Sequence, residues 1–246
     1  MIQSITHSDK ADIIALWLTN YKQEKAHVSS LPEGDDLVSS LEQKIQMLLD
    51  HHQGILIREN GQLLGYMFYI LGDELFGNQK CAFVPLFGHA SIASKTATMY
   101  QTMLNHVSKT WIHHKRLSWV VRIFEHNHIL TDFWFKNDFG QRCSDGIRPL
   151  TPLTPKPTTI TIKKASKETY LDMLTLEDSH QSYYPEAPLC MPVSKGDIRS
   201  ELDEWFYTDN HHLWIAYDHK TPVGYIKIEP HGESFISHVS TMMNVT

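Results

Sequence analysis

CAFVPLFGHASIASKTATMYQTMLNHVSKTWIHHKRLSWVVRIFEHNHILTDFWFKNDFGQRCSDGIRPL occupies residues 81–150 and carries most of the structural information in the chain. It begins with Cys81–Leu86, which is apolar on both faces, as in a strand covered on both sides. A helix follows, and its apolar residues recur at helical spacing. They are Tyr100, Met103, Leu104, Val107 and Trp111. The remainder predicts a strand, a short aromatic helix and a last strand, at Leu117–Phe124, Ile129–Asn137 and Gln141–Arg148.

The residues before this run add a strand, two helices and a hairpin. Ile2–Thr6 reads as a short strand. Asn60-Gly61 is a turn signal between the predicted strands Ile55–Glu59 and Leu63–Leu71, which indicates a hairpin. Two amphipathic stripes before the hairpin predict helices. Their apolar residues are Ile13, Trp17 and Tyr21 in the first, and Leu41, Ile45 and Leu48 in the second.

The opening of this series occurs twice in the chain. The hairpin sequence ILIRENGQLLGYM, from Ile55, has the same strand–turn–strand plan as HLWIAYDHKTPVGYI, from His212. The glycines of the two Gly-Tyr pairs, Gly65 and Gly224, lie 159 residues apart. The strands that open each copy lie 158 residues apart, at Ile2 and Ile160. A nearly constant offset indicates a duplicated unit.

The sequence therefore predicts one complete domain and part of a second. Residues 1–150 form the complete domain, residues 151–158 a proline-rich linker, and residues 159–246 the N-terminal half of a second copy. Prolines at nearly every third position of the linker favour an extended spacer. The central strand of the second copy is predicted at Ser234–Val245. Its apolar side chains would have little to pack against, so we expect a homodimer through this edge, and folding of this half-domain back onto the first domain is the alternative. These side chains are Val239, Met242, Met243 and Val245.

Composition and charge exclude several classes of protein. The 246 residues carry 22 Lys and Arg against 28 Asp and Glu, a net charge of −6, and no basic block, which argues against a nucleic-acid partner. The longest apolar run, near Leu63–Leu71, is too short to span a bilayer, so no membrane association is expected. Three scattered cysteines, Cys81, Cys143 and Cys190, suit the reducing cytoplasm. The 16 histidines lack zinc-site spacing, so no metal is predicted.

The order strand, two helices, hairpin, strand, helix, strand, helix, strand resembles the GNAT acyltransferase fold. Short motifs in residues 1–150 add to this resemblance. They are Val84-Pro-Leu-Phe-Gly-His-Ala90 before the long helix, Glu125-His-Asn127 after the next strand, and Phe133-Trp-Phe-Lys-Asn-Asp-Phe-Gly140 at the end of the short helix. Together they resemble a subfamily of tandem-GNAT bacterial proteins. The resemblance implies an α/β fold with a mixed central sheet flanked by helices, plus a partial second GNAT unit.

The resemblance also implies an acyl-CoA, acetyl-CoA above all, as co-substrate. In this family the pyrophosphate lies on amides at a helix N-terminus, where unpaired N–H groups and the helix dipole favour an anion. The corresponding loop is Phe87–Ser94, which has one glycine and no arginine. A loop that simply enters a helix, with a serine as its cap, is the alternative. The residues implied to bind the co-substrate are Val84, Leu86, Phe87, Gly88, His89, Ala90, Ser91, Ser94 and Asn127.

Family enzymes admit the pantetheine arm where two strands splay apart. The resemblance places this V-shaped gap between Cys81–Leu86 and Leu117–Phe124. Pro85 has no N–H, so the amide that would polarise the thioester carbonyl belongs to Val84 or Leu86.

The catalytic residues are less clearly indicated. Trp134 falls where many family members have an acidic tyrosine, but its indole does not supply a proton near neutral pH. His89, Glu125 and His126 are nearest to the expected cleft, and an orienting or surface role is the alternative for each. The candidates retained as catalytic are Trp134, His89 and Glu125.

The resemblance implies an acyl-CoA-dependent N-acyltransferase acting on a small amine. The alternative is a degenerate, non-catalytic GNAT module that shapes a substrate cleft or a subunit interface. A plain structural or interaction protein is a third reading, because fold alone does not determine function.

Overall fold

The computed structural model of the protein describes residues 1–74, 79–186, 197–230, 236 and 243–245. Within these ranges the chain forms two compact units that meet in sequence between Leu150 and Thr151. No helix in the described ranges is both long and apolar enough to cross a bilayer.

The first unit is a mixed sheet with helices packed on it. Its elements are β1 (Ile2–Ser4), α1 (Lys10–His27), α2 (Asp35–His51), β2 (Gln53–Glu59), β3 (Gln62–Gly72), β4 (Cys81–Val84), β5 (His89–Ser91), α3 (Thr96–His113), β6 (Ser118–Val121) and α4 (His128–Lys136). The strand order is β1-β2-β3-β4-β6, with β5 also on β3. Among the described strands of this unit, β4 and β6 are the one parallel pair. This order confirms the predicted fold class, an α/β protein with a mixed central sheet flanked by helices.

One part of the core of this unit lies between the sheet and α3. All five residues predicted for the apolar face of α3 are buried, from Tyr100 to Trp111, and Met99 joins them. Leu130, Phe133 and Trp134 of α4 pack in the same cluster. The helical spacing of apolar residues therefore identified the face of α3 that covers the sheet.

Two predicted strands are shorter than expected, and one is absent. Strand β4 ends at Val84 because Pro85 has no N–H to continue the ladder, and β6 ends at Val121. The last strand predicted for this domain, Gln141–Arg148, is wrong: residues 139–158 contain no helix or strand. Most of this segment is exposed. Its mixture of charged and small residues offers no continuous apolar face that a sheet would bury.

The second unit is an antiparallel sheet with two helices. Its elements are β7 (Ile160–Lys164), α5 (Tyr170–Tyr183), α6 (Ile198–Tyr207), β8 (His212–Asp218), β9 (Thr221–Glu229) and β10 (Asn244–Val245). The strand order is β10-β9-β8-β7. Most of the predicted strand Ser234–Val245 lies outside the described residues, as do Val239 and Met242. Met243 and Val245 are described, and both are exposed.

The hairpins of the two units share one irregularity. Strand pairing shifts register between Ile57 and Arg58 in β2, and between Ala216 and Tyr217 in β8. These two places lie 159 residues apart, which is the offset of the glycines Gly65 and Gly224. The turns also correspond, since Asn60 and His219 both have positive φ. Each register shift is a β-bulge, and its occurrence at equivalent positions of both hairpins is a specific feature that the two units share.

Candidate active site

The central strand of the first unit is interrupted. Strand β4 pairs with β3 up to Phe83, opposite Ile70, and β5 resumes the pairing at His89, opposite Met67. Between them Leu86–Gly88 forms a single 3-10 turn, closed by the Gly88 N–H donating to the Pro85 carbonyl at 2.8 Å. The interruption at Pro85–Gly88 is called the bulge below.

Strand pairing on this side of the sheet stops at the bulge, and the place beside β5 where it is missing among the described residues is called the gap below. Strands β4 and β6 pair along all of β4, and the Arg122 N–H donates to the Val84 carbonyl at 3.0 Å. Beyond that bond the described residues show no ladder between β5 and the chain after Val121. The V-shaped gap predicted between Cys81–Leu86 and Leu117–Phe124 is therefore wrong for β4, which pairs with β6 along its whole length. The missing strand pairing lies beside β5.

The backbone of β5 faces the gap at two positions. The Ile92 N–H donates to the Leu64 carbonyl at 2.9 Å, and Ala90 stands opposite Tyr66 in the same ladder. Backbone groups alternate in direction along a strand. The amides of His89 and Ser91 therefore point away from β3, toward the gap.

The side chain of His89 bridges the gap. Its Nε2 lies 2.7 Å from the Arg122 carbonyl, and its Nδ1 lies 2.5 Å from the Tyr100 hydroxyl. A carbonyl only accepts, so Nε2 carries the proton and Nδ1 accepts from Tyr100. His89 is 5% exposed, and burial lowers its pKa to about 4, against the smaller opposing effect of the Arg122 carbonyl. The imidazole is therefore neutral at pH 7.

Helix α1 covers the bulge and the start of the gap. Trp17 Nε1 donates to the Leu86 carbonyl at 3.0 Å, and Asn20 Nδ2 donates to the Ser91 carbonyl at 3.0 Å. From β3, the Tyr66 hydroxyl donates to the Phe87 carbonyl at 3.0 Å. Side chains thus satisfy the carbonyls that the irregular backbone leaves without ladder partners.

A helix N-terminus follows β5 directly. A 3-10 turn at Ala93–Lys95 leads into α3, which begins at Thr96, five residues after Ser91, and no side chain caps this helix start. Ser91 is buried, and its hydroxyl lies 3.4 Å from that of Thr96, whereas Ser94 is exposed. Of the two serines predicted to meet a phosphate, Ser94 is the one at the surface.

Most of the predicted loop is buried. Phe87, Gly88, His89 and Ala90 are all inside the unit. A Cβ on Gly88 would lie 2.8 Å from two ring carbons of Pro85. The glycine is therefore required by the bulge itself.

The remaining predicted residues lie apart from the bulge. Trp134 is 4% exposed and packs against Phe139, with ring centroids 4.6 Å apart. Glu125 is exposed. Asn127 is the N-cap of α4, and its side-chain oxygen accepts from the Leu130 N–H at 3.1 Å. Among the described residues, no three His, Cys, Asp or Glu side chains come together as a metal site would require.

One pair was missed by sequence reasoning. The buried carboxylate of Glu24 on α1 accepts from His126 Nδ1 at 2.7 Å and from the His126 N–H at 3.2 Å. His27 stacks on the same imidazole, with centroids 5.0 Å apart. The available signal was an acidic residue on the helix face that also carries Trp17 and Tyr21. Its partner, 102 residues away, was not visible from spacing.

No protein-family model matches the chain, and no curated protein matches it. Among solved structures, a tetramutant of the BH1408 protein from Bacillus halodurans matches 61% of this chain and 99% of its own, with a TM-score of 0.51 at 9% identity. This likeness is one of fold alone.

Two further solved structures have lower TM-scores. A ribosomal-protein-alanine N-acetyltransferase from Brucella melitensis matches 61% of this chain and 98% of its own, with a TM-score of 0.43 and 12% identity. A predicted acetyltransferase with acetyl-CoA, from Clostridium acetobutylicum, matches 61% of this chain and 95% of its own, with a TM-score of 0.45 and 11% identity.

Proposed function

We propose that the protein is an acyl-CoA-dependent N-acyltransferase acting on a small amine, with acetyl-CoA as the acyl donor. The observation that carries this proposal is the gap beside β5. There two backbone amides, of His89 and Ser91, face away from β3, and the chain leads through a 3-10 turn to the uncapped start of α3. An extended strand edge suits the amide-rich pantetheine arm, and a helix N-terminus suits a pyrophosphate.

In this proposal the chain positions the donor and stabilises charge. The amine nitrogen attacks the thioester carbonyl, a C–N bond forms, and the C–S bond breaks with its electron pair leaving on sulfur. The nitrogen releases one proton, and the thiolate takes one up. Backbone amides at the bulge would stabilise the oxyanion, which is the usual role of preorganised donors in acyl transfer.

A second candidate function has a specific observation in its favour. The Asn20 amide already donates to the Ser91 carbonyl, and His89 on β5 already binds the Arg122 carbonyl. A ligand arm would have to replace these contacts. Trp134 also lacks an acidic proton. Both features favour a first unit that has kept the fold and lost catalysis.

We further propose that the two units arose by duplication of a GNAT unit. The support is the register shift at equivalent places in both hairpins, together with equivalent helix–hairpin contacts. Arg58 binds Asp12 at 2.7 Å in the first unit, and the Tyr217 hydroxyl binds Asp172 at 2.6 Å in the second. We also propose that the protein is cytoplasmic and that it forms a homodimer.

Acetyl-CoA is expected to stabilise the full chain against heat. A ligand at roughly a hundredfold excess over its Kd adds about 2.7 kcal/mol to the free energy of unfolding. Ala97→Glu places a carboxylate in the first turn of α3, where it favours the helix but repels a pyrophosphate. We expect this variant to bind acetyl-CoA at least tenfold more weakly in calorimetry.

Asn105→Glu is the matched control, because it adds the same charge on an exposed position two turns further along α3. Binding equal to the parent is expected for this control. Equal binding by both variants would place the ligand elsewhere. Tight binding without transfer to any amine would support the non-catalytic module, and no binding by the parent would contradict the proposal.

A further inference from the structure

The first unit has a buried carboxylate near the gap. Glu24 lies on the face of α1 that also carries Trp17 and Tyr21, and it is 7% exposed. An ionised carboxylate away from water is costly unless positive charge or hydrogen bonds compensate it. Among the described residues the other two buried acidic side chains, Asp9 and Glu177, each bind an arginine or a lysine. Glu24 is compensated in a different way.

A single histidine compensates Glu24. Its carboxylate accepts from His126 Nδ1 at 2.7 Å and from the His126 backbone N–H at 3.2 Å, and it has no lysine or arginine partner in the described part of the chain. Because a carboxylate only accepts, Nδ1 carries the proton, and the lone pair of the neutral ring is on Nε2. The negative charge of Glu24 is therefore balanced only when a proton or another cation is bound at Nε2.

The Nε2 edge of His126 is open to a ligand. The His126 side chain is 36% exposed, and Nε2 has no hydrogen-bond partner among the residues that the structure describes. His27 stacks on the ring, with centroids 5.0 Å apart and an angle of 6° between the ring planes, which fixes the orientation of the ring. An alkylammonium group suits this edge, because its N–H donates to Nε2 while Glu24 supplies the opposite charge.

Contacts of α1 place this pair beside the gap. Asn20 donates to the Ser91 carbonyl, which points the same way as the Ser91 amide, toward the gap. Glu24 follows Asn20 by four residues, and side chains at this spacing are neighbours on a helix, about 5–6 Å apart at Cβ. Trp17 binds the bulge at the Leu86 carbonyl and precedes Glu24 by seven residues. The pair therefore lies about 10 Å from the bulge along the helix.

An aromatic side chain lies between the bulge and this pair. In the segment after β6, the Arg122 carbonyl is bound to β5, and His126 is bound to α1. Phe124 lies midway between them in sequence, is partly exposed, and packs on Trp17 and Tyr21 with ring centroids 5.6 and 5.9 Å apart. An apolar surface between two polar ends suits a chain of methylene groups that carries an amino group at each end.

We propose that the acceptor is a diamine, and that the Glu24–His126 pair binds its second amino group as an ammonium. One nitrogen of the diamine attacks the thioester at the bulge, the methylene groups lie along Phe124, and the other nitrogen donates to His126 Nε2. This rests on the proposed acyltransferase function and deepens it by naming the class of substrate.

The test compares two amines of equal length, with the full chain and acetyl-CoA at pH 8. The probes are octylamine and the α,ω-diamine of the same chain length, which differ in the second amino group alone. We expect kcat/KM for the diamine to exceed that for octylamine about tenfold or more, as one hydrogen bond to a charged group gives. Equal values in the parent would overturn the proposal.

Glu24→Gln removes the charge but keeps an oxygen that accepts from His126 Nδ1. We expect this variant to lower the kcat/KM ratio of the two amines toward one. A loss of folded protein does not have this effect, because it lowers both rates equally. Asp132→Asn is the matched control, since it removes a carboxylate that is 69% exposed on α4 of the same unit, and it should keep the parent ratio. A parent ratio in Glu24→Gln would also overturn the proposal.

Binding measurements separate this proposal from the function on which it rests. If acetyl-CoA binds but neither amine is acetylated, calorimetry compares the affinities of the two amines for the acetyl-CoA complex, and equal affinities contradict the inference. If acetyl-CoA does not bind, the proposed function fails. Titration of the diamine into the parent and into Glu24→Gln then still decides whether the pair binds an ammonium, and equal affinities would mean that it does not.

Discussion

Replacing Trp17 with alanine is expected to lower the free energy of unfolding of the first unit by about 3–5 kcal/mol. Trp17 is fully buried, stacks on Tyr21 with centroids 4.9 Å apart, and donates to the Leu86 carbonyl. Its removal leaves a large cavity and an unsatisfied carbonyl at the bulge. Urea unfolding, followed by signals of the first unit, measures the change.

Ile112→Ala is the matched control, since Ile112 is 55% exposed on α3 of the same unit. An exposed substitution of this kind changes stability by within about 0.5 kcal/mol. Comparable losses in the two variants would mean that Trp17 does not anchor α1 on the bulge.

The stability of the first unit is expected to fall as the pH falls from about 6.5 to about 4, because His89 is buried in its neutral form. The unfolded chain binds a proton to this imidazole near pH 6.5, whereas the folded unit resists protonation until about pH 4. The contribution of His89 is thus present above pH 6.5 and is lost through this window. Its full size is about 3 kcal/mol.

His89→Gln removes the titrating group and keeps a polar side chain. We expect its stability to depend less steeply on pH in that window, even if it is lower throughout. Tyr100→Phe is the control, because it removes a hydrogen bond to His89 but leaves the imidazole. If the stability of His89→Gln depends on pH as steeply as that of the parent, His89 does not titrate in the way that its burial requires.

The elements with strong periodicity were predictable from the sequence. The buried face of α3, the hairpin with its Asn60-Gly61 turn, and the short helix before Phe139 were all identified, because side-chain spacing encodes which face is covered. The predicted strand Gln141–Arg148 was wrong, since a short mixed segment carries little periodic signal. The fold class was predicted from the order of strands and helices along the chain.

The geometry of the site was only partly predictable. The predicted strand Cys81–Leu86 ran through Pro85, and the sequence did not indicate that pairing with β3 stops there and resumes at His89. The contact of His89 with Arg122 joins residues 33 positions apart, and the contact of Glu24 with His126 joins residues 102 apart. Such pairs depend on how helices and strands pack, which spacing along the chain does not encode.

The proposal that acetyl-CoA binds at the gap beside β5 is tested most directly by hydrogen exchange of the full chain with and without acetyl-CoA. We predict that acetyl-CoA slows exchange at the amides of His89 and Ser91, and at Ala97 and Thr98 in the first turn of α3. These are the gap-facing edge and the uncapped helix start. If the chain binds acetyl-CoA with no change at these amides, or with protection confined to residues after Leu150, the placement of the acyl donor in the first unit is contradicted.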